Sequence, residues 1–354
     1  MYPAIAIADA IKALAPGATV VFAGSEDRLE WKAVPQAGYS IHPITVSGIQ
    51  RRLTLDNLKV PFRAVKGFMQ SWRLVRSLQP DVGVGTGGYV SGPALMAASL
   101  QGVPIVLQEQ NAHAGLTNRL LGRRAARVHV AFPEAMGEFP IGVCMLSGNP
   151  IRASLTDVDA EASREHFGLP PAARVLLVMG GSLGSEAINS SLIEVHSALL
   201  RDESVHVIWQ TGRRYIDEVE ERVADHPRLH VMAYIDQMEM AYGAADLAVC
   251  RAGALTCSEL MATSTPAILV PSPNVTADHQ TRNAQSMANA GAAILLPEEN
   301  LHDQLQEQVE ALLGNESLRQ QMSEATFALA RPKAAQHIAE DVLALSSQHS
   351  VTQH

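Results

Sequence analysis

Short β-branched runs recur along this chain, each leading into an amphipathic stretch, and that alternation restricts the fold to βα units built around parallel sheet. In the first half the runs are Thr19 to Ala23, Ile41 to Val46, Asp81 to Gly85, Pro104 to Gln108, Arg127 to Ala131 and Val143 to Leu146. In the second half they are Val175 to Met179, Val205 to Gln210, Leu229 to Ala233, Leu247 to Cys250, Ala267 to Val270 and Ala293 to Leu296. The expectation is an α/β protein with two comparable sheets. At 354 residues the chain exceeds what one hydrophobic core usually holds, so each sheet is given its own domain. Between the two groups, Ser147-Gly148-Asn149-Pro150-Ile151-Arg152 punctuates the chain with a glycine and an Asn-Pro pair. The first domain is therefore read as 1–150 and the second as 151–354, with terminal helices, interrupted near Arg331-Pro332, that can pack back on the first. The start is unusual. Pro3 to Leu14 reads as a helix with proline in its first turn, where a doubly wound domain opens on a strand.

Composition removes several classes of function. The formal net charge of -9 argues against broad binding to nucleic acid, which needs a basic surface to displace counterions. The three cysteines, Cys144, Cys250 and Cys257, suit neither a disulfide framework nor a zinc site. Cys250 and Cys257 read as small core residues, and a reducing cytoplasm fits them. The sequence shows no charged leader with an apolar run and no apolar stretch of about 18 residues, so neither secretion nor a membrane span is supported.

Three glycine-rich segments follow strand candidates and precede helical patterns. They are Gly85-Thr86-Gly87-Gly88-Tyr89-Val90-Ser91-Gly92-Pro93, Gly180-Gly181-Ser182-Leu183-Gly184-Ser185, and Arg251-Ala252-Gly253-Ala254-Leu255-Thr256 running into Ser258-Glu259. Glycine lets backbone amides approach an anion, and a following helix adds free N–H groups and the positive end of its dipole. One such turn is equally good loop chemistry; three in one chain favour phosphate binding. None has the Gly-Lys-Ser/Thr of a P-loop, and none is a clean Gly-x-Gly-x-x-Gly followed by an acidic strand end, which disfavours an NTPase and a nicotinamide dehydrogenase.

Polar clusters lie beyond other strand ends. Glu259, three residues after Thr256, has the spacing of a carboxylate that accepts ribose hydroxyls and equally that of a capping box. Asp278-His279-Gln280 suits hydroxyl recognition on a sugar or plain solvated surface, and Gln108-Glu109-Gln110-Asn111 with nearby His113 reads as a polar wall facing a cleft. From Arg51 to Arg76, basic residues (Arg51, Arg52, Lys59, Arg63, Lys66, Arg73, Arg76) interleave with apolar ones such as Leu53, Leu55, Leu58, Phe62, Phe68, Met69 and Trp72. That stretch is either a surface for an anionic membrane or an amphipathic helix with its apolar face turned inward.

Taken together and in order, Gly87 to Pro93, Glu109-Gln110-Asn111 with Gly115-Leu116-Thr117-Asn118-Arg119, Gly148 to Arg152, Gly180-Gly181-Ser182, Cys250 to Glu259, and His279-Gln280-Thr281-Arg282-Asn283-Ala284 resemble the MurG family over nearly the whole chain. The resemblance implies a GT-B fold, two Rossmann-like domains with parallel sheets facing a cleft. It implies transfer of N-acetylglucosamine from UDP-N-acetylglucosamine to undecaprenyl-diphosphoryl-muramoyl-pentapeptide in peptidoglycan synthesis, with inversion at the sugar's anomeric centre. Carried over by motif, Asn111 meets the donor sugar, Arg152 and Ser182 the nucleotide side, and Ile235 the uracil through its backbone. Ala254, Leu255 and Thr256 lie along the diphosphate and sugar, Glu259 on the ribose, and His279 or Gln280 on the sugar hydroxyls. Gly87, Gly88, Tyr89 and Ser91 are the acceptor-side candidates. Neither a metal nor another cofactor is expected, and the implied location is peripheral, on the cytoplasmic face of the bacterial inner membrane. Two departures qualify this reading. The family opens with a strand and a Gly-Gly-Thr-Gly-Gly-His loop ahead of the helix that starts here at Met1-Tyr2-Pro3, so its candidate catalytic histidine is expected to be missing. Position 108 is Gln where many members carry His. A catalytically impaired UDP-sugar-binding protein, another GT-B glycosyltransferase and a UDP-sugar epimerase are the alternatives.

Overall fold

The computed structural model describes residues 1–26, 28–46, 60–88, 90–155 and 158–352. Every run expected to be a strand is one, with ends that differ by three residues at most. The chain divides into two compact units, Met1–Ile151 with Pro332–His354, and Arg152–Arg331. The last helix thus groups with the first unit.

The first unit runs α1 (Tyr2–Leu14), β1 (Val21–Gly24), α2 (Glu30–Gln36), β2 (Ser40–Pro43), α3 (Val60–Leu78), β3 (Gly83–Gly85), α4 (Ser91–Leu100), β4 (Ile105–Glu109), α5 (Leu116–Gly122), β5 (Arg127–Val130) and β6 (Cys144–Leu146). Strands β1 and β2 pair in parallel, and β3-β4-β5-β6 form a second parallel sheet. Strand β4 is buried along its whole length because helices cover both faces of a parallel sheet. Around it, Leu95, Ile105, Leu107, Leu121, Val128 and Phe139 make one core cluster. On the other side Ile7 and Ile11 of α1 meet Ile338, Ala339 and Val342, residues that share the chain's last helix. That packing is why the C-terminal segment belongs to this unit.

Helix α3 does not bury all its apolar side chains. Phe68 and Trp72 are half-buried with ring centroids 5.9 Å apart, and Ser71 is buried. Phe62, Val65 and Met69, spaced to share a face, are exposed by 79%, 64% and 45%. Arg63, Lys66 and Arg73 are exposed beside them. The inward-packing alternative therefore holds for only part of this helix. Arg51, Arg52, Lys59, Leu53, Leu55 and Leu58 lie outside the described residues. Among the described residues no helix is long and apolar enough to cross a membrane.

The second unit runs α6 (Ala160–His166), β7 (Arg174–Met179), α7 (Glu186–Leu199), β8 (Val205–Gln210), α8 (Ile216–Arg222), β9 (Leu229–Met232), α9 (Met238–Ala244), β10 (Leu247–Cys250), α10 (Ala254–Thr263), β11 (Ala267–Leu269), α11 (His279–Asn289), β12 (Ala293–Leu295), α12 (Leu301–Gly314) and α13 (Glu316–Leu329); α14 (Ala334–Thr352) then returns to the first unit. Its six strands are all parallel in the order β12-β11-β10-β7-β8-β9. From β7 the chain winds to one edge through β8 and β9, then restarts beside β7 with β10 and winds to the other. The seam between β7 and β10 is a topological switch point, where loops diverge and leave a crevice at the carboxyl ends of the strands. Leu176, Val178, Ile188, Leu192, Val207 and Trp209 fill the core beneath it. The Trp209 indole N–H donates to Asn189 Oδ1 at 3.0 Å, so even the largest buried ring has its polar atom satisfied.

Candidate active site

The crevice in the second unit is bounded by the β7–α7 loop, Gly180 to Ser185, and by Gly253 at the start of α10. Gly253 is the N-cap of α10 and makes no side-chain cap. Thr256 is therefore the third residue of the helix, Glu259 lies beyond its first turn, and the capping-box alternative does not hold. Ala254, Leu255 and Thr256 instead form the first turn of the helix, where the backbone N–H groups point out of its N-terminal end. Leu255 and Glu259 are four apart, so they share a face at a rise of about 6 Å. Glu259 is half-buried and its Oε2 accepts from the Tyr242 hydroxyl at 3.1 Å. Burial pushes the Glu259 carboxyl up in pKa, while the Tyr242 hydrogen bond and the nearby Arg152 charge act in the opposite direction. Arg152 itself is exposed.

The loops around the crevice are braced by polar side chains. Gln210, at the end of β8, is buried; its amide N–H donates to the Gly181 carbonyl at 3.2 Å and its oxygen accepts from the Ile235 N–H at 2.9 Å. One side chain thus ties the Ser182 loop to the segment carrying Ile235. Arg251 donates to Ser185 Oγ at 2.7 Å and to the Val270 and Pro271 carbonyls, and it pairs with Glu298. Gly184 and Gly212 cross so closely that a Cβ on Gly212 would sit 2.5 Å from the Gly184 Cα, so the two loops meet only as glycines. At the β11–α11 turn, Ala277 and Asp278 both take left-handed backbone (φ 54° each), an uncommon conformation for residues with a Cβ. This turn delivers His279 and Gln280 into the first turn of α11, and Gln280 Oε1 accepts from the Ser272 N–H at 2.8 Å. Ser182, Ile235, Ala254, Leu255, Thr256, His279 and Gln280 thus all follow carboxyl ends of parallel strands in one sheet. Cys250 and Cys257 are wholly buried, and burial pushes the Cys257 thiol up to about 12, so both are core residues.

The first unit gathers a different set. Glu109 ends β4 and is 3% exposed. Its Oε1 accepts from the Asn111 N–H at 3.1 Å and Nδ2 at 3.4 Å, and its Oε2 from the Gly115 N–H at 3.0 Å and Asn118 Nδ2 at 2.8 Å. Gln108 is fully buried and donates to Asn149 Oδ1 at 2.6 Å, while Asn149 Nδ2 reaches the Gln110 carbonyl at 3.0 Å. The polar wall expected from sequence is corrected here: Gln108 and Glu109 face inward and organise loops, because β4 lies between β3 and β5 with both faces covered. His113 pairs with Glu138 at 2.8 Å, and Asn111 is half-exposed on the loop that Glu109 holds. Gly87 and Gly88 have φ of 83° and 87°, and the Ser91 hydroxyl donates to the Gly87 carbonyl at 2.6 Å. Tyr89 lies outside the described residues.

Sequence reasoning passed over Gln210, Tyr242 and the internal role of Glu109. A glutamine or carboxylate closing an otherwise apolar strand was the available signal for two of them; Tyr242 gave none, since an apolar ring suits its place equally well.

Comparison with known proteins agrees with this architecture. The glycosyltransferase family 28 N-terminal domain matches residues 1–130 and the corresponding C-terminal domain residues 175–338. A protein of Salinibacter ruber named UDP-N-acetylglucosamine--N-acetylmuramyl-(pentapeptide) pyrophosphoryl-undecaprenol N-acetylglucosamine transferase is 59% identical over 349 residues, covering 99% of this chain and 94% of the relative. The chain belongs to the MurG family. The crystal structure of Acinetobacter baumannii MurG superposes with a TM-score of 0.79 at 30% identity, over 97% of this chain and 95% of that one. A UDP-N-acetylglucosamine 2-epimerase from Listeria monocytogenes, described as putative in its structure's name, shares the fold at a TM-score of 0.66 and 16% identity, with 97% and 92% covered. The MurG family assignment and the GT-B architecture thus agree, each unit being α/β with parallel sheet.

Proposed function

We propose that this chain transfers N-acetylglucosamine from UDP-N-acetylglucosamine to undecaprenyl-diphosphoryl-N-acetylmuramoyl-pentapeptide, the sugar-transfer step of peptidoglycan synthesis. The observation that carries the reading is the start of α10: a helix N-terminus with no side-chain cap at the β7/β10 switch point, with Glu259 one turn beyond Leu255 on the same face. A nucleoside diphosphate sugar matches that spacing, its diphosphate on the helix N-terminus and its ribose on the carboxylate.

In this reading the acceptor hydroxyl oxygen bonds to the sugar's anomeric carbon as the bond from that carbon to the diphosphate breaks. The hydroxyl proton passes to a general base, and the bonding electron pair leaves with UDP. Negative charge grows on the diphosphate oxygens, and in this reading the first turn of α10 at Ala254, Leu255 and Thr256, with the Ser182 loop, meets it with fixed dipoles. Because the Ile235 N–H is engaged by Gln210, we assign the uracil contact to the Ile235 carbonyl, which accepts from the ring N–H. Arg152 stands on the nucleotide side, His279 and Gln280 meet the sugar hydroxyls, and Asn111 meets the donor sugar from the loop fixed by Glu109. Gly87, Gly88, Tyr89 and Ser91 serve the acceptor.

We assign the chain's membrane contact to α3, whose exposed Phe62, Val65 and Met69 stand beside Arg63, Lys66 and Arg73. Apolar insertion plus basic charge is the pairing that holds a peripheral protein on an anionic leaflet, here the cytoplasmic one.

The test is direct. With UDP-N-acetylglucosamine and a lipid-linked muramoyl-pentapeptide, the chain should release UDP and form the lipid-linked disaccharide in equal amounts. Binding of UDP without either product overturns the transferase reading in favour of a binding protein, and conversion of the donor without acceptor points to an epimerase.

A further inference from the structure

Tyr242 lies in α9 within the core of the second unit and is 2% exposed. A phenol hydroxyl buried that deeply is costly without a partner. Its partner is Glu259 Oε2 at 3.1 Å, with Met179 Sδ next at 3.9 Å. The ring is wedged in a packed interior, so its oxygen is a fixed point. A carboxylate has two oxygens and a freely turning terminal torsion. Tying one oxygen to a fixed point stops that rotation and presents the other in one direction.

We propose that Tyr242 is a positioning residue for nucleotide recognition: by holding Oε2, it fixes the Glu259 carboxylate so that its remaining acceptor sites meet both hydroxyls of a nucleotide ribose. The proposal rests on the ribose role given to Glu259 above and adds the group that makes it specific. Tyr242 never touches the nucleotide. Its contribution is paid before binding, as orientation already fixed in the free protein, which is how preorganisation raises affinity. Burial pushes the Glu259 carboxyl up in pKa, and the Tyr242 hydrogen bond and the Arg152 charge work against that push, so the same contact that orients the carboxylate also favours its charged form. Tyr242 is in turn held as a neutral donor, its pKa raised well above the ordinary value by burial and by the Glu259 charge, with buried Cys250 and Cys257 acting the same way.

The experiment compares UDP with 2′,3′-dideoxy-UDP on the full chain by calorimetry, for wild type, Y242F, E259A and the double variant. Y242F should weaken UDP roughly tenfold, the scale of one lost hydrogen bond to a charged group. It should leave dideoxy-UDP within about twofold, because a nucleotide without those hydroxyls gains nothing from an oriented carboxylate. Added to E259A, Y242F should change nothing further. A merely structural role predicts equal weakening of both nucleotides, and that result, or no weakening of UDP, overturns the proposal. If E259A itself leaves the preference for UDP over dideoxy-UDP intact, the ribose reading fails and takes this one with it; if E259A abolishes the preference and Y242F does not touch it, only the positioning role fails. Should Y242F lose its cooperative melt, 3-fluorotyrosine at position 242 keeps the ring and strengthens the donor. The preference for UDP must then shift from the wild-type value, and an unchanged ratio counts against Tyr242.

Discussion

Glu109→Gln separates an internal organising carboxylate from a reacting one. The substitution keeps size and shape but turns one acceptor oxygen into an N–H donor. If the Oε1 side stays oxygen, the new amide faces the Gly115 N–H and Asn118 Nδ2; if the Oε2 side does, it faces both Asn111 donors. Either way two of the four bonds become donor against donor. Asn118 Nδ2 keeps the Gln108 carbonyl at 3.2 Å, so the first arrangement is the less costly. Hydrogen bonds to a charged group contribute roughly 1.5–3 kcal/mol each, and local relaxation recovers part of two, leaving about 3 kcal/mol. In a unit of this size that lowers the melting temperature by roughly 6–12 °C. Calorimetric melting of E109Q and N118A should show both variants destabilised, N118A less, with donor affinity falling as the Asn111 loop loosens. A reacting carboxylate predicts the reverse pattern. Turnover in E109Q would then drop by roughly 10²–10⁴-fold, the contribution of a positioned acid or base, on an unchanged melt. That outcome would refute the internal role assigned to Glu109.

Other consequences follow from single features. His129 is fully buried, its Nδ1 2.7 Å from Ser147 Oγ, and burial pushes it down from its ordinary 6.5 to about 4, with Asp341 opposing and Arg127 and His337 adding. Its folded value lies below the unfolded one, so its contribution is complete above pH 6.5 and is lost as pH falls toward 4. Across that window wild type should lose about 3 kcal/mol more stability than H129N in denaturant titrations; an equal loss would mean Asp341 keeps the imidazole charged. Replacing Arg63, Lys66 and Arg73 by Gln should cut co-sedimentation with anionic liposomes at low salt, at roughly 1 kcal/mol per charge, and leave UDP binding intact. Equal sedimentation would remove α3 from the membrane. Gln210→Leu should weaken UDP binding by roughly tenfold by freeing the Gly181 and Ile235 backbones together, and unchanged affinity would show that the two loops hold their places alone.

The fold was legible because parallel strands announce themselves. A strand covered by helices on both faces must be apolar nearly throughout, so β7, β8 and β10 stand out as largely apolar runs, each followed closely by a glycine (Gly180, Gly212, Gly253), and the loops that follow them are located at the same stroke. Thr256 and Glu259 were harder. Their spacing serves a capping box and a ligand-facing helix equally, and only the placement of the N-cap at Gly253 separated the two. Helix α3 presented the same kind of tie, since an apolar stripe reads identically whether it meets a core or a membrane; the exposure of Phe62 and Val65 removes the core for that face.

Buried polar side chains resist reading for a deeper reason. Gln210, Glu109 and Tyr242 act by hydrogen bonds to partners 25, 6 and 17 residues away, respectively Ile235, Gly115 and Glu259. Sequence spacing carries information about neighbours on one helix or strand, and none of these pairs lies on a single element. What brings the Gln210 and Tyr242 pairs together is the parallel topology of the second sheet, which sets the ends of β7, β8, β9 and β10 side by side, and the β3-β4-β5-β6 sheet does the same for Glu109 at the end of β4. The same topology explains why such residues are needed there. Each loop at that edge leaves its strand where backbone pairing stops, so its amides and carbonyls must find partners or water. A glutamine at the end of β8 supplies one donor and one acceptor to the loops on either side, and a tyrosine of α9 donates its hydroxyl to a carboxylate of α10. Gln210 and Tyr242 thus hold the crevice in shape from behind its loops, and their loss should be felt in affinity before it is felt in chemistry.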